Sequence, residues 1–172
     1  MSMTTTSAAA RSTIDEVAAP GIDEVAAADR EGAGAVPSRP DWGRLLKAVK
    51  ESGQYPTTRE AERITCLVLC ALGGHVIGDE RVELARRLPD EAARLIASQI
   101  PVRRPLTAPE FVDAVAGRIE GATPATARWD VGAVLGTLPA LIGEDLTARI
   151  LRQLPTGYAL LFGKAELLTR AA

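Results

Sequence analysis

From Pro40 onward, apolar residues recur at three- and four-residue spacing, and the polar residues between them mark helix starts and stops. Asp41 is a good N-cap for a helix whose stripe is Trp42, Leu45, Leu46 and Val49, closed by Gly53. Thr57 and Glu60 have capping-box spacing ahead of a second stripe, Ile64, Leu67, Val68, Ala71 and Leu72, which stops at Gly73-Gly74. A third helix follows Asp79 and ends in Arg86 and Arg87, placing acids at its start and bases at its end as the helix dipole favours. Pro89 then breaks the chain and opens a short fourth helix ending near Ser98.

The same punctuation then returns at an offset of 66 positions, so that Pro40 to Ile96 align with Leu106 to Phe162 without a gap. Val68, Leu69 and Leu72 recur as Val134, Leu135 and Leu138; Ala48-Val49 recurs as Ala114-Val115; Leu88-Pro89 recurs as Leu154-Pro155. Thr57, Ala61 and Arg86 return as Thr123, Ala127 and Arg152. In the second copy, Thr107 with Glu110 caps a helix carrying Phe111, Val112, Val115 and Ile119. Thr123 caps the next, with Pro124 in the first turn, and this helix carries Trp129, Ala133, Val134, Leu135 and Leu138 until Pro139 kinks or ends it. Glu144-Asp145 opens the third helix, which has Arg149 and Arg152 toward its end, and the fourth closes near Phe162. No period-two alternation occurs, so no strand is expected. The expected architecture is all-α: two tandem, pseudo-symmetric four-helix repeats packed as one bundle, residues 39–99 and 107–165, joined by a proline-bounded linker at 100–106.

Residues 1–38 do not share this pattern. They are rich in Ala, Ser, Thr, Gly and acids, and they carry too little apolar surface to offset the entropy of ordering; disorder is expected. Within them, Ile14-Asp15-Glu16-Val17-Ala18-Ala19 is repeated as Ile22-Asp23-Glu24-Val25-Ala26-Ala27. Such a pair reads as two copies of a short docking motif, which gain avidity when tethered together, or else as replication slippage. As docking motifs, Ile14, Val17, Ile22 and Val25 would supply apolar contacts, while Asp15, Glu16, Asp23 and Glu24 would meet basic residues of a protein partner.

Composition narrows the chemistry. The 172 residues are 47% hydrophobic and only 3% aromatic, so Ala, Leu, Val and Ile must build the core. The net charge of -2 divides unevenly: residues 1–38 hold six acids against Arg11 and Arg30, and the remainder is slightly basic. That balance disfavours a dedicated nucleic-acid binder, although Arg86, Arg87, Arg103 and Arg104 could line one edge. Cys66 and Cys70 lie on one helix face, where a disulfide is geometrically disfavoured and a small buried apolar group is the usual outcome. A zinc site would need two further ligands, and His75 is the only histidine, so no metal site is expected. No apolar run approaches the roughly 18 residues of a membrane-crossing helix, and the N-terminus lacks a secretory apolar segment; a cytoplasmic location is expected by elimination.

The residues Leu84 through Leu88-Pro89-Asp90 with Leu95-Ile96, and Ile150 through Leu154-Pro155 with Leu161-Phe162, resemble a bacterial family, that of domain of unknown function 2267. The resemblance spans roughly residues 40–165. It implies an all-helical fold and brings no functional residues to carry over.

No catalytic constellation emerges. His75 stands alone beside Gly73-Gly74, where capping or solvent exposure is its expected role, and no nucleophile has a paired base. Asp79-Glu80, Asp90-Glu91 and Glu144-Asp145 fall at helix starts, where the dipole accounts for them. No phosphate loop is present. Neither a cofactor nor enzymatic activity is expected. Trp42 and Trp129 are expected in the core, with a partner anchor as the alternative role. The sequence therefore points to a protein-interaction adaptor, regulatory subunit or cargo, with a nucleic-acid-associated protein and a small-ligand sensor as alternatives. It leaves oligomeric state open.

Overall fold

The structure is a computed structural model that describes residues 39–164; the strings at 14–19 and 22–27, and the expected tail of which they are part, lie outside the described residues. Among the described residues every regular element is helical: α1 (Trp42–Gly53), α2 (Thr58–Gly73), α3 (Gly78–Arg87), α4 (Asp90–Ala97), α5 (Ala108–Ala116), α6 (Pro124–Leu135), α7 (Leu138–Ile142), α8 (Glu144–Gln153) and α9 (Tyr158–Leu161).

The cap residues act as their spacing predicts. Asp41 accepts from the Arg44 N–H at 3.2 Å and Thr57 from the Glu60 N–H at 3.2 Å. Thr107 and Glu110 form a reciprocal capping box at α5, and Thr123 forms one with Thr126 at α6. At α2 the bond runs one way only, from the Glu60 N–H to Thr57. The helices α5, α6 and α8 start 66 positions after α1, α2 and α3.

The second half departs from the expected four-helix pattern. Its second helix stops at Leu135, capped by Gly136, and a separate helix α7 begins at Leu138. Pro139 lies in the first turn of α7, where its missing N–H costs nothing, so it starts a helix and does not kink one. Likewise α5 ends at Ala116; Ile119 lies beyond it in a turn yet is still buried.

α2 and α6 lie at the centre. α2 packs on α1, α4, α5 and α6, and α6 packs on α1, α2, α5, α7 and α9. Their inward stripes, Ile64, Val68 and Leu72 on α2 and Ala127, Val131 and Val134 on α6, are at most 2% exposed. A fully buried Leu or Val contributes about 1.5–3 kcal/mol, so these stripes supply much of the driving force. The core is mainly aliphatic, as composition requires, but Phe111, Tyr158 and Phe162 are also fully buried in it. The Tyr158 hydroxyl avoids a desolvation cost by donating to the Leu106 carbonyl at 3.0 Å.

A polar seam joins α3 to α8. Arg149 donates to Glu83, its Nη1 lies 3.6 Å from Glu80, and its Nε donates to Asp145 at 3.2 Å. Glu83 also accepts from Arg87 at 2.5 Å, and Arg87 donates on to the Ile142 carbonyl just before α8. In the opposite direction, Gln153 at the end of α8 donates to Glu80 at 2.6 Å and exchanges two bonds with the Ile77 backbone just before α3. Each helix thus ends on the other's start, which makes the pair antiparallel. Hydrogen bonding from Arg149 holds the Glu83 carboxyl below the usual carboxylate range, with Arg87 adding to the effect.

Two predictions follow from the packing. An added Cβ at Gly73 would meet the Ile96 backbone at 2.9 Å, whereas at Gly132 inside α6 it would meet nothing within 4 Å. Gly132→Ala should raise the unfolding free energy by about 0.5–1 kcal/mol through helix propensity, and Gly73→Ala should lower it, as read by urea unfolding. The second concerns pH. A carboxylate with a depressed pKa stabilises the fold at pH values above the unfolded range, and that contribution disappears as pH falls through the folded pKa. Glu83→Gln should therefore reduce stability at neutral pH and flatten its decline in acid; an unchanged acid slope would show that the seam contributes nothing.

Candidate functional site

The outward face of α6 departs from the usual amphipathic rule. Ala125, Arg128, Trp129 and Gly132 share it at helical spacing, opposite the buried stripe, so the helix is apolar on both sides. Trp129 is 57% exposed, which corrects the expected core role. Trp42 is half-buried against the core, and its indole N–H donates to Glu62 at 3.3 Å.

The end of α1 holds Trp129 in this position. Its indole N–H donates to the Gly53 carbonyl at 3.1 Å. On Gly53 lies the ring of Tyr55, so close that an added Cβ would approach it to 2.2 Å. The Tyr55 hydroxyl in turn donates to Asp130, next to Trp129, at 2.6 Å. Burial, together with the Asp130 carboxylate, raises the Tyr55 phenol far above its ordinary range, so it stays a neutral donor. The Gly53 carbonyl thereby anchors the indole, and the Tyr55–Asp130 bond ties the adjoining residue to the end of α1, while more than half of Trp129 stays exposed.

Two apolar hollows lie along this face, and the indole lines one of them. One, of about 340 Å³, is lined by Ser52, Trp129, Gly132 and Ala133. The other, of about 480 Å³, lies among Pro109, Val112, Pro124, Leu160 and Leu161. Ala125 and Arg128 border both, and Leu160 is itself 54% exposed.

The remaining candidates are dispersed. Of the two roles expected for His75, capping or solvent exposure, it takes the first, and it is buried. Its Nδ1–H donates to the Ala71 carbonyl at 2.7 Å, which makes it a cap of α2, and its ring meets Phe111 edge-on at 5.3 Å. Nε2 has no hydrogen-bond partner among the described residues. Cys66 and Cys70 are free and half-buried, and burial raises both thiols above the usual range, as do Glu62 and Cys70 for Cys66, while Arg118 opposes the effect at Cys70. Such thiols are poor nucleophiles. Among the described residues no group of three or more His, Cys, Asp or Glu is placed to hold a metal ion. Arg87 and Arg149 are engaged in the seam between α3 and α8, and Arg104 pairs with Glu110 at 3.4 Å. The Glu110 carboxyl is held below its ordinary range chiefly by the Thr107 backbone N–H and hydroxyl, which is cap chemistry. No helix among the described residues is long and apolar enough to cross a membrane.

An all-helical domain with an exposed indole on α6 is what these elements define. The chain belongs to the family described as uncharacterized conserved protein (DUF2267), whose model matches residues 42–161. The match covers both Leu-Pro segments on which the resemblance rests. No curated protein matches the chain significantly.

Because Tyr55 is the only donor bonded to the Asp130 side chain among the described residues, Tyr55→Phe should cost about 1–2 kcal/mol of stability, most of it from leaving the partly buried carboxylate unsatisfied. The same change should broaden Trp129 fluorescence, measured in a Trp42→Phe background. An unaltered spectrum and stability would mean that the Tyr55 bond does not hold the indole.

Proposed function

We propose that this chain is a non-enzymatic, cytoplasmic protein-interaction module that docks onto a larger assembly through the α6 face. The N-terminal segment bearing Ile14, Asp15, Glu16, Val17, Ile22, Asp23, Glu24 and Val25 provides a second point of attachment. The observation that carries this reading is Trp129: a large ring held by a hydrogen bond to the end of α1, more than half exposed, and lining an apolar hollow whose Ala125 and Arg128 also border a second. Rigid aromatic side chains with apolar surroundings are the usual energetic centre of an interface, and a ring already fixed in place loses little entropy on binding.

We further infer that residues 39–99 and 107–165 are two copies of one helical block related by a pseudo-twofold axis. The helix starts at a constant offset of 66 positions support it, as does the packing of α1 on α6 matched by α2 on α5. So does the Glu83–Arg149 pair, whose members are 66 positions apart. Division of the second copy's long helix into α6 and α7 would then be a local divergence.

The test is affinity capture from the native host with three baits: the full chain, Trp129→Ala, and a chain lacking residues 1–38. The full chain should retain partners that Trp129→Ala loses, and the truncated chain should retain fewer of them. Identical partner sets from all three would reject both attachment points.

A further inference from the structure

A second surface, remote in sequence from Trp129, has a different chemistry. Between α3 and α4 runs a groove of about 550 Å³ whose floor includes Val82, Ala85, Ala93 and Ala97. Val82 is 49% exposed there, an aliphatic side chain facing water on a short polar helix. Small alanines around one valine leave room for branched aliphatic side chains and offer no aromatic platform on which a nucleic-acid base could stack.

The rim is basic, and its charges differ in what they have left to offer. Arg81 is spent: its guanidinium donates to the Ile96 carbonyl at 2.7 Å and the Gln99 carbonyl at 2.5 Å, closing the C-terminal end of α4. Arg39 is paired with Asp90. Arg86 is exposed and has no hydrogen-bond or ion-pair partner among the described residues, and Arg94 is 75% exposed with Glu91 only at 3.8 Å. Two underused cations therefore flank an aliphatic floor. The complementary ligand carries carboxylates beside branched aliphatic side chains, each satisfying what the groove leaves open.

We propose that this groove docks an acidic, aliphatic peptide segment of a partner protein. The assignment does not rest on the Trp129 reading, and neither depends on the other's success. The strings Ile14–Ala19 and Ile22–Ala27 have this chemistry, so residues 14–27 make a suitable probe.

The experiment measures fluorescence anisotropy of a labelled synthetic peptide of residues 14–27 titrated with the full-length chain. Saturable binding that weakens as salt rises is expected. The double substitution Arg86→Glu with Arg94→Glu should weaken it by at least about tenfold, as expected for charge reversal at a complementary rim. Val82→Asp should act similarly. Arg152→Glu, an exposed reversal elsewhere on the body, should leave it unchanged. Equal binding of a peptide with Asn and Gln in place of its Asp and Glu would overturn the proposal, as would indifference to the Arg86 and Arg94 reversal. A single-stranded oligonucleotide that binds while the peptide does not, and is lost on the same reversal, would assign the groove to phosphate instead. Binding only by a full-length variant with Asp15, Glu16, Asp23 and Glu24 changed to Asn and Gln would mean the chain's own strings occupy the site, overturning the partner assignment.

Discussion

Glu83 and Arg149 stand at corresponding positions of α3 and α8, and their ion pair is the contact around which the two helices are arranged. When two helices pack antiparallel, residues equally far from their starts can meet near the middle of the contact. Like charges there would repel, and two apolar residues would leave no directional bond to set register. Opposite charges satisfy one another, and here they recruit Arg87, Glu80 and Gln153 into the same seam. Because each helix ends on backbone groups at the other's start, sliding by one turn would break bonds at both ends. The seam's side chains are partly exposed, so its contribution is orientation more than bulk stability.

Stability comes from α2 and α6, which bury their aliphatic stripes at the centre. Their two outward faces differ. On α2 that face carries Arg59, Glu62 and Arg63, an ordinary solvated surface. On α6 it carries Ala125, Trp129 and Gly132 instead, with Arg128 the only charge among them. One helix faces water with charges and the other with an indole, and that asymmetry distinguishes the two faces of the molecule. The groove beside α3 differs from this face in chemistry, with an aliphatic floor and a rim that carries Arg86 and Arg94.

Much of the fold was legible in the residues because helix caps and stripes are local. Asp41, Thr57, Thr107 and Thr123 act within three residues of themselves, so their spacing is sufficient to identify them. The break at Gly136 was harder to read, because Pro139 suits both the end of one helix and the first turn of the next. The candidate site was less legible still. Its two tryptophans are indistinguishable by spacing, since both sit on helical stripes in an aromatic-poor chain. A signal was nonetheless present at the seam: aligning the chain with itself sets Glu83 opposite Arg149, an opposite-charge pair at a position that could face itself.

The sequence alone determined that this chain is helical, where its helices begin, that its core is mainly aliphatic, and which family it resembles, since periodicity, caps and composition act over short distances. The tertiary structure decided that Trp129 faces water while Trp42 lies half-buried, that His75 is buried as a cap, and that Arg87 and Arg149 are held in the seam while Arg86 is exposed. Exposure depends on which helix covers which face, and the contacts that settle it join residues as distant as Gly53 and Trp129.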